Sequence, residues 1–156
     1  MFSGNGPFAW FKWEALFQYW RLFAKGFLYT IELSIFALLL ALVIGVIVGI
    51  CATSHSKVLR GIMRVFVEFF QNTPLLVQMF ILYYGLPFLG VILSVTTIGI
   101  ISVGVYHGAY IAEVVRSGIG SITKGQFEAA YSQGFTYWQA MRHIILPQAM
   151  KVIMPP

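Results

Sequence analysis

The chain has 156 residues, 59% of them hydrophobic, 17% aromatic and only 10% charged, with a mean hydropathy of +0.82. That is too little polar surface to coat a water-soluble globule of this size, so lipid must be the missing solvent and an all-α polytopic membrane protein is expected. The formal charge of +5 does not mark a nucleic-acid binder, because the 10 Lys and Arg are spread singly and form no basic patch.

Residues 1–26 read as an amphipathic leader, extracytoplasmic or interfacial, whose Trp10, Trp13, Tyr19 and Trp20 suit the headgroup region where aromatic rings anchor. A cleavable signal peptide is not expected, since it would start with basic residues and a shorter apolar core within the first few positions. The first span is predicted over residues 27–52, which carry one charge, Glu32, and are apolar or Gly throughout 38–50. Cys51 lies in this run, alone, with no partner for an intrachain disulfide and too few companions for a Cys-based metal site.

Residues 69–112 contain no charge. A single helix of that length would measure about 66 Å, roughly twice the hydrocarbon thickness, so the run must fold back. Gly85, Pro87 and Gly90 supply the turn, which places a second span at residues 65–86 and a third at 91–115. Pro74 falls inside the second span and should bend it; a packing kink is the plain reading and a gate hinge the sharper one. The pairs Gly45-x-x-x-Gly49 and Gly104-x-x-x-Gly108 predict close helix contact, within the chain or with a partner. Glu32, Glu68 and Glu113 are carboxylates at membrane depth, hence candidates for a substrate pathway or proton handling. Spacing also offers Arg64 to Glu68 and Arg116 to Glu113 as ion-pair partners, and leaves Glu32 without one. Lys57, Arg60, Arg64, Arg116, Lys124 and Arg142 on one side outnumber Lys12, Arg21 and Lys25 on the other. The first side is therefore cytoplasmic and the N-terminus outside.

Beyond the third span, residues 123–149 form a polar island. Thr123-x-x-Gln126 fits a capping box, Glu128 should lie near the positively polarised helix start, and Gly134 is the residue type that ends a helix in the left-handed conformation. Thr136-x-x-Gln139 opens a second short helix that Pro147 should interrupt. The methyl groups of Ala129 and Ala130 would let a partner approach closely, while Phe127 and Tyr131, four apart, share a face that can fill a groove.

The spacing of Glu128-Ala129-Ala130, Gly134 and Ile144-Ile145-Leu146-Pro147 resembles the EAA loop of bacterial ABC importer permeases. Glu68-Phe69-Phe70-Gln71-Asn72-Thr73-Pro74-Leu75-Leu76-Val77-Gln78, Gly108-Ala109-Tyr110-Ile111-Ala112-Glu113-Val114-Val115-Arg116 and Lys124-Gly125-Gln126-Phe127-Glu128-Ala129-Ala130 narrow the resemblance to the polar amino acid permeases, the histidine, glutamine, arginine and glutamate uptake group. This resemblance implies a type I importer fold over residues 27–156, with a family core of five helices. Three spans, the elbow at 123–149 and the start of a fourth helix to 156 are then expected here, as in a C-terminally truncated subunit. It implies a prokaryotic plasma membrane, a cytoplasmic ATPase dimer that takes up Glu128, Ala129, Ala130, Gly134, Phe127 and Tyr131, a second permease subunit, an extracytoplasmic binding protein and a polar amino acid as substrate. Gln78 joins the three carboxylates as a pathway candidate. Gln133 departs from the family pattern, which usually has Leu before the loop glycine.

No cofactor is expected in the chain itself, because Gly120-Ser121-Ile122-Thr123-Lys124-Gly125 is followed by Gln126 and Phe127 where a P-loop needs Lys and Ser or Thr. ATP would be bound by the partner. His55, His107 and His143 lack a metal-ligand spacing, and without any Asp no Ser-His-Asp triad can be drawn. The chain is thus not expected to be an enzyme. The alternatives are a proton-coupled carrier using Glu32, Glu68 or Glu113, and a membrane scaffold that transports nothing.

Overall fold

A computed structural model describes residues 10–154, with the side chains of Phe11 and Ala15 left aside; the earliest part of the leader and the final Pro155-Pro156 lie outside it. Two units are distinguished, divided within one helix between Ile35 and Phe36. All described elements are helical or irregular.

In the first unit, α1 (Trp10–Gln18) is separated by Tyr19 from the start of α2 (Trp20–Cys51). The Tyr19 carbonyl accepts from Leu22 and Phe23 N–H at 2.9 and 3.3 Å, so the chain re-enters the helix at once. Trp10, Trp13, Tyr19 and Trp20 are all exposed, and Trp10 Nε1 donates to Glu14 Oε1 at 2.9 Å. The helix that carries the expected first span begins at Trp20.

The second unit is organised on α5 (Val95–Gly120), capped by the Ser94 hydroxyl, which accepts from Thr97 N–H at 3.1 Å. Its small face meets α2. A Cβ built on Gly49 would lie 2.7 Å from Val115 Cβ and 2.8 Å from the Ala112 carbonyl, and one on Gly108 would lie 2.9 Å from Ile44 Cγ2. Gly104 meets Leu40 and Gly45 meets Ile111 in the same manner. The two glycine pairs thus serve one contact within the chain, each receiving larger side chains of the opposing helix, and Ala37, Ala41 and Ala112 are buried with them.

The expected second span is not one helix. It is α3 (Lys57–Asn72) followed by α4 (Leu75–Phe80), which runs on through a π turn (Ile81–Gly85) and a 3-10 turn (Leu86–Leu89), and the two halves are bent by 99°. The cause is local. Proline disfavours the helical region for the residue before it, and Thr73 is extended (φ −98°, ψ 121°), as is Pro74 in ψ (136°). Two helices, Trp20–Cys51 and Val95–Gly120, are each long and apolar enough to cross a membrane, and the bent pair makes a third if counted as one span.

The turn into α5 rests on Gly90 in the left-handed region (φ 77°), not on Gly85, which is helical (φ −80°). The helix that carries the expected third span runs from Val95 to Gly120. After α5 come α6 (Lys124–Ser132), α7 (Tyr137–Ala140), a π turn (Met141–Ile145) and α8 (Leu146–Ile153). Pro147 does not interrupt the second short helix as expected. Both π turns stop two residues short of a proline, Pro87 or Pro147. Proline offers no N–H to the carbonyl four residues back and crowds it, and widening the preceding turn lets the helix continue past it. Met154 is extended ahead of Pro155, so the described part of the fourth helix ends at Ile153.

Candidate functional site

The elbow is built on the cytoplasm-facing end predicted for α5. Val115 and Ile119 of α5 join Met141, Ile145 and Ala149 in one buried cluster, with Phe127, Tyr137 and Ile153 packed against it. Gly118 admits the Ile153 side chain where a Cβ would collide with it. Gln148 Nε2 donates to Gln126 Oε1 at 3.0 Å and ties α8 to α6. Burial of these apolar side chains, worth about 1.5–3 kcal/mol for each large one, holds the elbow and the end of α5 as one body.

The corner is a Schellman motif. Phe135 N–H donates to the Ala130 carbonyl at 3.1 Å and Gly134 N–H to the Tyr131 carbonyl at 2.9 Å, with Gly134 at φ 81°. Space around Gly134 is open, so its requirement for glycine is one of backbone angle alone. The capping box expected at Thr123 does not form, but one closes the start of the second short helix: Thr136 N–H donates to Gln139 Oε1 at 2.9 Å and Gln139 N–H to Thr136 Oγ1 at 3.4 Å. The Thr123 side chain makes no cap: the Gln126 N–H donates to the Thr123 carbonyl at 3.0 Å and the Gln126 side chain is engaged by Gln148.

Four of the elbow positions named from the sequence are on the surface. Glu128, Ala129 and Gly134 are exposed and Tyr131 is 38% exposed. Glu128 lies mid-helix, past the first turn, where the positive end of α6 no longer reaches it. Ala130 is 0% exposed and Phe127 is packed against the core cluster, so the close approach their side chains permit is used inside the chain. Phe127 and Tyr131 therefore do not form a shared outward face.

Two residues absent from the sequence reading of the elbow also join it. In the α2–α3 loop, Thr53 Oγ1 lies 3.0 Å from Tyr137 Oη and His55 Nε2 lies 3.1 Å from Tyr131 Oη. The His55 ring also meets Tyr137 edge-on, at 5.1 Å between centroids. Burial pushes the Tyr137 phenol above the ordinary tyrosine range, against the opposing effect of its bond with Thr53. Sequence separations of 84 and 76 residues leave no local spacing that could have signalled these contacts.

The membrane-depth candidates are scattered. Glu68 accepts from Arg64 Nε at 2.7 Å, and Glu113 takes Arg116 bidentately at 2.8 and 2.6 Å, as their spacings allow. Glu32 is exposed on α2. Gln78, the fourth pathway candidate, is buried and bonded locally through its amide nitrogen. Its Nε2 donates to the carbonyls of Phe70 (3.0 Å) and Thr73 (2.9 Å). Phe70 is the residue whose carbonyl would have met the missing Pro74 N–H. The side chain thus replaces the hydrogen bond that proline removes at the bend. Neighbouring carbonyls are met likewise: Asn72 Nδ2 donates to Glu68 O at 2.7 Å and Thr73 Oγ1 to Phe69 O at 2.8 Å. Among the described residues no cluster of His, Cys, Asp or Glu could hold a metal ion.

Comparison with known proteins follows the same lines. The family described as "Binding-protein-dependent transport system inner membrane component" matches residues 41–156. The probable glutamine ABC transporter permease protein of Bacillus subtilis (strain 168) is 44% identical over 141 residues, which is 90% of this chain and 65% of that protein. The L-cystine transport system permease protein of the same organism is 35% identical over 145 residues, 92% of this chain and 62% of its own length. A crystal structure of an amino acid ABC transporter with histidines matches with a TM-score of 0.77 at 34% identity, over 89% of this chain and 65% of that one. The chain thus spans a little under two thirds of the length of these relatives.

Proposed function

The chain belongs to the family of binding-protein-dependent transport system inner membrane components, and from that premise we propose that it is the permease subunit of an ATP-driven importer of polar amino acids in a prokaryotic plasma membrane. The observation that carries this reading is the elbow. It is seated on the end of α5 through Val115, Ile119, Met141, Ile145 and Ala149, while Glu128 and Ala129 of α6 stay exposed. A body fastened to a span on one side and open on the other can pass a push from a partner into the membrane.

In this mechanism a cytoplasmic ATPase dimer grips α6, and ATP-driven closure of the dimer moves the elbow and α5 together. Two permease subunits alternate between inward-facing and outward-facing states, and an extracytoplasmic binding protein supplies the amino acid. ATP hydrolysis belongs to the partner, and this chain binds neither ATP nor a cofactor. The elbow is cytoplasmic and the N-terminus outside. Glu68 and Glu113 are held by Arg64 and Arg116, which gives a proton relay through them no support.

Co-purification of the ATPase with elbow variants tests the proposal. Gly134→Val puts a β-branched residue where φ is 81°, at a cost of roughly 1–2 kcal/mol or more, and redirects α6. Glu128→Lys reverses an exposed charge without touching the core. Both variants should insert in the membrane normally, yet lose ATPase docking and transport-coupled ATP hydrolysis. Normal docking and uptake for both would remove the elbow from the mechanism.

A further inference from the structure

Helix α3 carries two outward stripes side by side. Val58, Ile62, Val65 and Phe69 form an apolar one, each more than half exposed. Lys57, Arg60, Arg64 and Glu68 form a charged one, and together with Glu113 and Arg116 of α5 they line an open cleft of about 600 Å³. The two carboxylates of the cleft are already held by Arg64 and Arg116. Lys57 and Arg60 are in no ion pair among the described residues, so the cleft keeps an unmatched positive charge. Its floor includes Ala52, at the end of the helix that forms the first span, so it lies at the level where α2 leaves the apolar region.

A phosphate group would satisfy the unmatched cations, and it has two sources, a free phosphate compound or a lipid headgroup. The apolar stripe beside the cleft decides between them. A free phosphate has no use for it, whereas a phospholipid lays acyl chains along such a surface while its headgroup enters the cleft. We infer that the cleft between α3 and α5 is a binding site for an anionic phospholipid, with Lys57 and Arg60 holding the phosphodiester and Val58, Ile62, Val65 and Phe69 bordering the chains. Such a site requires that the chain lie in a membrane, and does not depend on what it transports. With the elbow cytoplasmic, the lipid belongs to the inner leaflet.

Native mass spectrometry of the purified chain in detergent, titrated with phosphatidylglycerol or phosphatidylcholine, reads the retained lipid directly. Phosphatidylglycerol should be held at least roughly tenfold more tightly, and the double variant Lys57→Gln, Arg60→Gln should weaken it by roughly 25-fold, about fivefold for each cation. Arg60→Lys, which keeps the charge, should retain most of the binding. Lys124→Gln with Arg142→Gln removes the same net charge from the elbow and should leave binding intact. Millimolar inorganic phosphate should not displace the lipid. Equal retention of the two lipids, equal loss in both double variants, or displacement by inorganic phosphate would each overturn the assignment. Permease-mediated uptake is not the readout, so failure here is distinguishable from failure of the transport proposal.

Discussion

At the scale of single residues, Gln78 shows how a polar side chain at membrane depth can be structural. The residue is 6% exposed and its amide nitrogen donates to the carbonyls of Phe70 and Thr73 beside the proline break. Leaving buried carbonyls unpaired costs about 1–3 kcal/mol each. Gln78→Leu should therefore lower the thermal unfolding midpoint of the detergent-solubilised protein by that order of free energy. Gln78→Glu keeps the shape but, when ionised, offers only acceptors to two carbonyls, so it should be at least as damaging. Equal stability of Gln78→Glu and the unmodified protein would show that the corner is held by something else. The residue's type was legible in the sequence within a motif, but its role was not. A glutamine four residues after a proline reads as a polar group in a span until the fold shows which carbonyls lie within its reach.

At the scale of elements, the contact between α2 and α5 depends on the absence of side chains. At each glycine of the seam the opposing helix stands where a methyl group would have to go, whereas a methyl on Gly61 of α3 would have nothing within 4 Å. Substitutions at the two kinds of glycine should move stability in opposite directions. Gly49→Leu would force the helices apart and cost about 1–3 kcal/mol or more by overpacking. Gly61→Ala fills open space in a helix interior and should stabilise by about 0.4–1 kcal/mol. Unfolding of each variant monitored by tryptophan fluorescence checks both signs, and an unaffected Gly49→Leu protein would mean that the seam is not a tight contact in lipid. Both glycine pairs were visible as a spacing. That both serve a contact within the chain was not, since the same spacing serves association between chains equally well.

At the scale of the whole molecule, the bent pair α3–α4 governs topology. If it crosses the membrane, Gln18 and Ser132 lie on opposite faces; if it dips in and returns, they lie on the same one. With Cys51 replaced by Ser, single cysteines at these positions should react with an impermeant thiol reagent from outside and from the cytoplasmic side respectively. Labelling of both from one face would make the pair re-entrant. The membrane class, the helical content, the two continuous spans and the left-handed corner at Gly134 were determined by the sequence alone. Each follows from a property of contiguous residues: a long apolar run, a charge interval, or a backbone angle that only glycine adopts freely. What the tertiary structure decided concerns where backbone and side-chain groups find partners across distance. It turned the second span through 99°, carried the helix past Pro147 with a widened turn, drew Phe127 and Ala130 inward, and joined Thr53 and His55 to the elbow. The inward packing and the contacts of Thr53 and His55 are written in no local pattern, because a partner dozens of residues away is chosen by the fold as a whole, whereas the bend at Pro74 and the widened turn before Pro147 have local causes in their prolines.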